Sequence, residues 1–139
     1  MKSNPQHAYI FLTKRPDKVR FSTDDENVWM GVTVTRNSEK KRLDDLRRNI
    51  KAKHYHVTFE PIFDEIGEID FEGIDWIVIG TETGHRKGKV DSRPEWVLHI
   101  ADQAKAQGIP VFMKEDLLPI MGEERMTQEL PEQFIKRIQ

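Results

Sequence analysis

Asp75-Trp-Ile-Val-Ile-Gly-Thr-Glu-Thr-Gly84 is the stretch on which the fold turns. Its first half, Trp76-Ile-Val-Ile79, is apolar without alternation, as a strand covered on both faces requires; a half-exposed strand alternates with period two. Its second half changes at once to small and polar residues, so the strand stops at Gly80 and a loop begins. Strands of this kind belong to parallel sheets. Four other segments rich in β-branched and aromatic residues accompany it: His7 to Thr13, Val28 to Thr35, Tyr55 to Phe59 and Ile109 to Met113. With Trp76 to Gly80 they make five strands.

Parallel neighbours cannot be joined by a hairpin, so the chain between them must cross back, usually as a helix. In Ser38 to Ala52, Leu43, Leu46 and Ile50 share one face, and Asn37 or Ser38 can cap the start. The segment from Ser92 carries fuller helix punctuation: Ser92 and Glu95 as a capping box, Pro94 in the first turn, a stripe of Trp96, Val97, Ile100 and Ala104, and Gly108 past the end. Pro61 to Gly73 is acidic and aperiodic and reads as a loop, while Leu130 to Ile138 reads as a terminal helix entered through Pro131. The expected fold is α/β, five mostly parallel strands with crossover helices, built as an incomplete, TIM-like barrel in a single domain over residues 1–139.

Composition narrows the chemistry. The chain has 139 residues, 37% of them hydrophobic and 33% charged, enough for one core under a strongly hydrated surface. A net charge of -2 generates no overall positive field, so any nucleic-acid contact has to be a local patch. There is no cysteine. That excludes disulfides, a thiol nucleophile, a cysteine zinc site and a thiolate-held iron–sulfur cluster on this chain alone. No apolar run approaches the roughly 18 residues of a membrane span, and Met1 to His7 lacks the apolar core of a signal peptide, so a cytoplasmic address is expected.

Each strand ends in a polar cluster: Thr13-Lys-Arg-Pro16, Thr33-Val-Thr-Arg36, Glu60-Pro61, Gly80-Thr-Glu-Thr-Gly84 and Lys114-Glu-Asp116. Ligands of parallel α/β folds bind at the carboxyl ends of the strands, where loops converge and following helices present free N–H groups. Around Thr81, Glu82 and Gly84 the glycines let the backbone approach a ligand and Glu82 can accept from hydroxyls or an amine; the plain alternative is a tight turn capped by its own glutamate. Glu60, held beside Pro61, is either a rim carboxylate or the structural ion-pair partner of Lys14, Arg15 or Lys114. Lys14 and Arg15, followed by Pro16, suit an anion or phosphate, with Lys114 as a third cation, against the alternative of a solvated basic turn. The loop His85-Arg-Lys-Gly-Lys89 reads as a lid over an anion or a nucleic-acid contact, or simply as a hydrated loop. His54 and His56 share a strand face but lack a third ligand, so no metal site is assigned.

Taken in order, Phe11-Leu-Thr-Lys-Arg-Pro16, Gly31-Val-Thr-Val34, Phe59-Glu-Pro-Ile62, Asp75 to Gly84, Glu95-Trp96 and Val111-Phe-Met-Lys114 resemble the phage-associated radical-SAM-like protein family of unknown function. The resemblance implies that this chain corresponds to the C-terminal portion, without the N-terminal part that bears the cysteine cluster and the first strands of a partial barrel. It implies S-adenosylmethionine as cofactor, with the Thr81-Glu-Thr-Gly84 segment, Lys14, Glu60 and Lys114 lining the cofactor and substrate cavity. With the basic turn added, the expected cofactor-binding residues are Thr81, Glu82, Gly84, Lys14 and Arg15, and the expected catalytic residues Glu60 and Lys114. Thr81 stands where the family usually has a glycine before the glutamate. The iron–sulfur cluster would have to come from a partner, so no radical chemistry is expected of this chain alone. The absence of the first strands would leave Ala8 to Thr13 as an open edge, to be covered by a second copy or by a separately encoded N-terminal half. Two other functions fit the same residues: a nucleotide or nucleic-acid binding module using Lys14, Arg15, Arg86, Lys87 and Lys89, and a structural remnant with an idle rim.

Overall fold

A computed structural model describes residues 7–81, 92–132 and 134. Among the described residues seven strands and three α-helices follow one another as β1 (Tyr9–Thr13), β2 (Phe21–Ser22), β3 (Val28–Thr33), α1 (Lys41–Asn49), β4 (Ile50–Lys51), β5 (His54–Phe59), β6 (Trp76–Ile79), α2 (Pro94–Ala106), β7 (Val111–Met113) and α3 (Leu118–Met121). The five longer strands form one sheet in the order β1-β3-β5-β6-β7, parallel throughout. The sheet is open, with β1 and β7 at its edges, so the structure is a five-stranded parallel α/β sheet and not a closed barrel.

Register explains why the strands are apolar on both sides. Pairing of Met30 with Tyr55, Val32 with Val57, Val57 with Ile77 and Ile77 with Val111 sends these residues to one face. There they bury against Leu43 and Leu46 of α1 and Val97, Ile100 and Ala104 of α2. The opposite face carries Trp29, Thr33, His54, His56 and Val78, also buried. Trp29 stacks on His54 at 4.3 Å between ring centroids and meets Phe134 at 4.8 Å, while Trp76 sits edge-on to both Trp29 and Phe112. Coverage fails at β1, where Ile10, Phe11 and Leu12 remain 50%, 43% and 51% exposed.

Several boundaries differ from expectation for identifiable reasons. The helix expected over Ser38 to Ala52 starts as a 3-10 turn at Asn37–Glu39 and stops at Asn49, because Ile50 turns extended and pairs with Phe21 in a two-residue ribbon that no local pattern announced. The capping box does not form: Arg93 occupies the N-cap of α2, Pro94 is its first residue, and Ser92 Oγ donates instead to Ile62 O at 2.9 Å. Gly108, at φ 74, ends the helix as expected. Pro61 to Gly73 has no regular structure, yet it buries Ile62, Ile66, Ile69 and Phe71. Its carbonyls are tied down by Asn37 at Ile66, Gln103 at Gly67 and Arg47 at Asp70 and Glu72. The terminal helix expected over Leu130 to Ile138 lies mostly outside the described residues. Among the described residues no helix is long and apolar enough to cross a membrane.

Candidate functional site

Three of the five rim clusters converge. The pairing of Phe59 with Ile79 and of Ile79 with Met113 places the next residues, Glu60, Gly80 and Lys114, side by side at the carboxyl ends of β5, β6 and β7. The ladder runs on through them, with Gly80 N–H donating to Phe59 O and Lys114 N–H to Ile79 O, each at 2.9 Å. Lys114 Nζ meets Glu60 Oε2 at 2.7 Å, a reach that crosses Gly80. A Cβ on Gly80 would lie 2.8 Å from Glu60 Cδ, so the glycine leaves the room in which the carboxylate lies. The Glu60-Pro61 peptide bond is cis.

Asp116 and Thr81 lie close to this pair, near enough for Asp116 to feel the charges of both Glu60 and Lys114. Thr81 N–H donates to Asp116 Oδ1 at 3.2 Å. Burial pushes the Asp116 carboxyl above its ordinary value, and the Glu60 charge adds to the effect against the Thr81 hydrogen bond and the Lys114 charge. Thr81 itself is buried, its hydroxyl donating to Ser92 Oγ at 3.0 Å and accepting from Ser92 N–H at 3.3 Å. Its N–H and hydroxyl are thus engaged inside the protein, and the hydroxyl joins Thr81 to Ser92. Glu82, Gly84 and the basic run His85 to Lys89 lie outside the described residues.

Lys14 and Arg15 are not part of this cluster. Arg15 pairs with Asp17 through Nε and Nη2, both at 3.0 Å, and the hydrogen bond from Arg15 holds the Asp17 carboxyl down at about 2. Together with Lys14, Lys41, Arg42 and Asp45 these residues line a groove of about 490 Å³ between the exit of β1 and the start of α1. The end of β3 is occupied by a separate network. Arg42 donates to Thr33 O at 2.6 Å and pairs with Glu39 at 2.9 Å, while Glu39 accepts from the Thr35 N–H and hydroxyl at 2.6 and 2.7 Å. Burial alone would raise the Glu39 pKa, but the Thr35 hydrogen bonds and the Arg42 charge outweigh it and leave the group below its usual range.

The two histidines have separate tasks. His54 stacks on Trp29 and faces Asp75 at 3.7 Å, whereas His56 lays its ring over Gly31 and reaches Phe11 O with Nε2 at 3.1 Å. Among the described residues no group of three or more histidine and acidic side chains is placed to hold a metal ion. Trp29 Nε1, Thr33 Oγ1 and His56 Nδ1 are buried without a hydrogen-bond partner among the described residues, all three on the same face of the sheet. Sequence reasoning placed Asp116 on the rim but missed its hydrogen bond from Thr81, and it missed Lys41 and Arg42 as groove residues and the bridge from His56. A glycine inside the apolar strand β3 was the available signal for the last.

The fold and cluster define a parallel α/β protein with an acid–base pair on its carboxyl rim. The chain belongs to the family described as Protein of unknown function (DUF5131), whose profile matches residues 1–129 and so spans Lys14, Glu60, Thr81, Lys114 and Asp116. No curated protein and no solved structure matches the chain.

Proposed function

We propose that this chain is the C-terminal, ligand-binding portion of a phage-related radical-SAM-like protein. On this reading it is a partial barrel wall whose rim takes the amino-acid end of S-adenosylmethionine and which does not cleave the cofactor by itself. The observation that carries this reading is the Glu60–Lys114 pair at 2.7 Å over Gly80. An α-amino acid presents one ammonium and one carboxylate a few ångströms apart. Glu60 supplies the acceptor for the first and Lys114 the donor for the second, both partly exposed and both at the end of a parallel strand.

The strand order supports a barrel wall. The main sheet runs β1-β3-β5-β6-β7 with no reversal, and α1 and α2 pack on the same face of it. A doubly wound sheet would reverse direction and carry helices on both faces. When bound, S-adenosylmethionine supplies an activated sulfonium. The residues of this chain fit its amino-acid end but do not fit an iron–sulfur cluster, because the sequence has no cysteine. On this reading the cluster is supplied from outside these 139 residues, and the open edge at β1 is where a second chain or an N-terminal half packs, in a cytoplasmic setting.

Thermal melting tests the proposal. S-adenosylmethionine at about 100 times its Kd stabilises the native state by about 2.7 kcal/mol and raises the midpoint by several degrees, whereas a control nucleotide does not. Glu60→Gln and Lys114→Met each remove the rise while melting near the parent midpoint without ligand, because a half-exposed pair contributes at most about 1 kcal/mol. A flat response to millimolar cofactor overturns the reading.

A further inference from the structure

We propose that the groove between the exit of β1 and the start of α1 is a second binding site, independent of the rim, that takes a phosphate monoester. The groove holds about 490 Å³ and is lined by Lys14, Arg15, Asp17, Lys41, Arg42 and Asp45. Four cations against two carboxylates give a local charge of +2, on a chain whose net charge is -2. An excess of this sign in a concave site concentrates anions against the field of the whole molecule.

The four cations divide into two kinds. The guanidiniums are held in place: Arg15 by both oxygens of Asp17, Arg42 by Glu39 at 2.9 Å and Thr33 O at 2.6 Å. Each keeps further N–H donors beyond those bonds, since a guanidinium carries five. The ammoniums are not neutralised: among the described residues neither Lys14 nor Lys41 has a carboxylate partner, and Asp45 is taken by Arg48 at 3.4 Å. Two fixed forks and two uncompensated point charges make a site for a compact, doubly charged anion with several acceptor oxygens. A phosphate monoester carries about -1.5 to -2 at neutral pH and three such oxygens, which matches both counts. A phosphodiester carries one charge and matches neither. Among the described residues no aromatic or aliphatic side chain lines the groove, so it grips the phosphoryl group and leaves the rest of the ligand in solvent. The groove shares no residue with the Glu60–Lys114 cluster, so either site can fail without the other.

Calorimetric titration of the full chain with glycerol phosphate, a simple phosphate monoester, tests this. The expected result is saturable one-to-one binding that weakens several-fold between about 50 and 200 mM salt. Lys14→Ala and Lys41→Ala each weaken it by about fivefold or more. The double variant weakens it further at an unchanged melting temperature, and Lys105→Ala, a cation elsewhere on the surface, leaves it intact. Absence of binding at low salt overturns the proposal, as does an affinity that survives the double variant. Equal competition by a single-stranded oligonucleotide without terminal phosphates also overturns it, since the groove would then read a phosphodiester backbone.

Discussion

Gly31 lacks a side chain because His56 occupies the space: a Cβ there would lie 2.4 Å from Cε1 and 2.5 Å from Nε2 of the imidazole. The ring crosses β3 at this point to reach the Phe11 carbonyl, so one side chain ties β5 to β1 over the strand between them. A carbonyl only accepts, so Nε2 carries the proton and Nδ1 is the nitrogen left buried without a partner. Gly31→Ala forces the ring out and breaks the bridge, and it should destabilise the fold by about 2–4 kcal/mol in urea melts. Combining it with His56→Ala should cost clearly less than the sum of the two single changes, because the second removes the obstacle met by the first. Additive costs would mean that the ring and the glycine are not coupled. Gly80 is the instructive contrast. The atoms its Cβ would meet belong to the movable end of Glu60, the nearest at 2.8 Å. Gly80→Ala should therefore leave stability within about 1 kcal/mol of the parent while dislodging Glu60 from Lys114 and abolishing the melting shift with S-adenosylmethionine.

Among the elements, those with local punctuation were legible and those made by tertiary contact were not. Helix α2 was readable from Pro94, its apolar stripe and Gly108, all of which act within a turn or two. Its cap was misread because Ser92 is recruited by Ile62 O and Thr81, residues distant in sequence. The acidic Pro61 to Gly73 segment hid four buried apolar side chains, Ile62, Ile66, Ile69 and Phe71, which are held by packing and by side chains distant in sequence and not by any regular element of their own. At the rim, Glu60 and Lys114 were found because each follows a strand end, but the strand order that selects Lys114 over Lys14 and Arg15 as the partner of Glu60 was not legible. Lys41 and Arg42 were passed over because they sit on a helix that follows a different strand. The open edge at β1 was legible too, and it carries its own consequence. Tyr9 N–H donates inward to Asn27 O, so by alternation Ile10 and Leu12 point their N–H and C=O groups away from β3. Backbone that no described residue pairs with, beside half-exposed apolar side chains, is a template for another strand. Sedimentation velocity should show self-association at micromolar concentration that Ile10→Lys with Leu12→Lys abolishes. A parent chain that sediments as a monodisperse monomer would count against a second copy on this edge.

For the molecule as a whole, the buried His56 makes folding a function of pH. Burial lowers its pKa from 6.5 to about 4, against a smaller opposing effect of the hydrogen bond to Phe11. Between those values the unfolded chain binds a proton that the native chain refuses, so the unfolded state holds more protons and stability rises with pH across the window. Read downward, the contribution is complete above pH 6.5, is lost as the pH falls toward 4, and amounts at most to about 3 kcal/mol. Glu39, held below its ordinary 4.5, extends the loss in the same direction at lower pH. Asp116 opposes it, because a carboxyl raised by burial takes its proton earlier in the native state and recovers stability on acidification. Domains of this size are stable by about 5–15 kcal/mol, so the histidine alone governs a substantial share of the margin. Urea midpoints measured from pH 7 to pH 4.5 should therefore fall steadily for the parent chain. His56→Gln, which lacks the titrating ring, should be less stable at pH 7 yet follow a visibly shallower slope. Parallel slopes for the two proteins would show that the bridge to β1 is not what acid attacks.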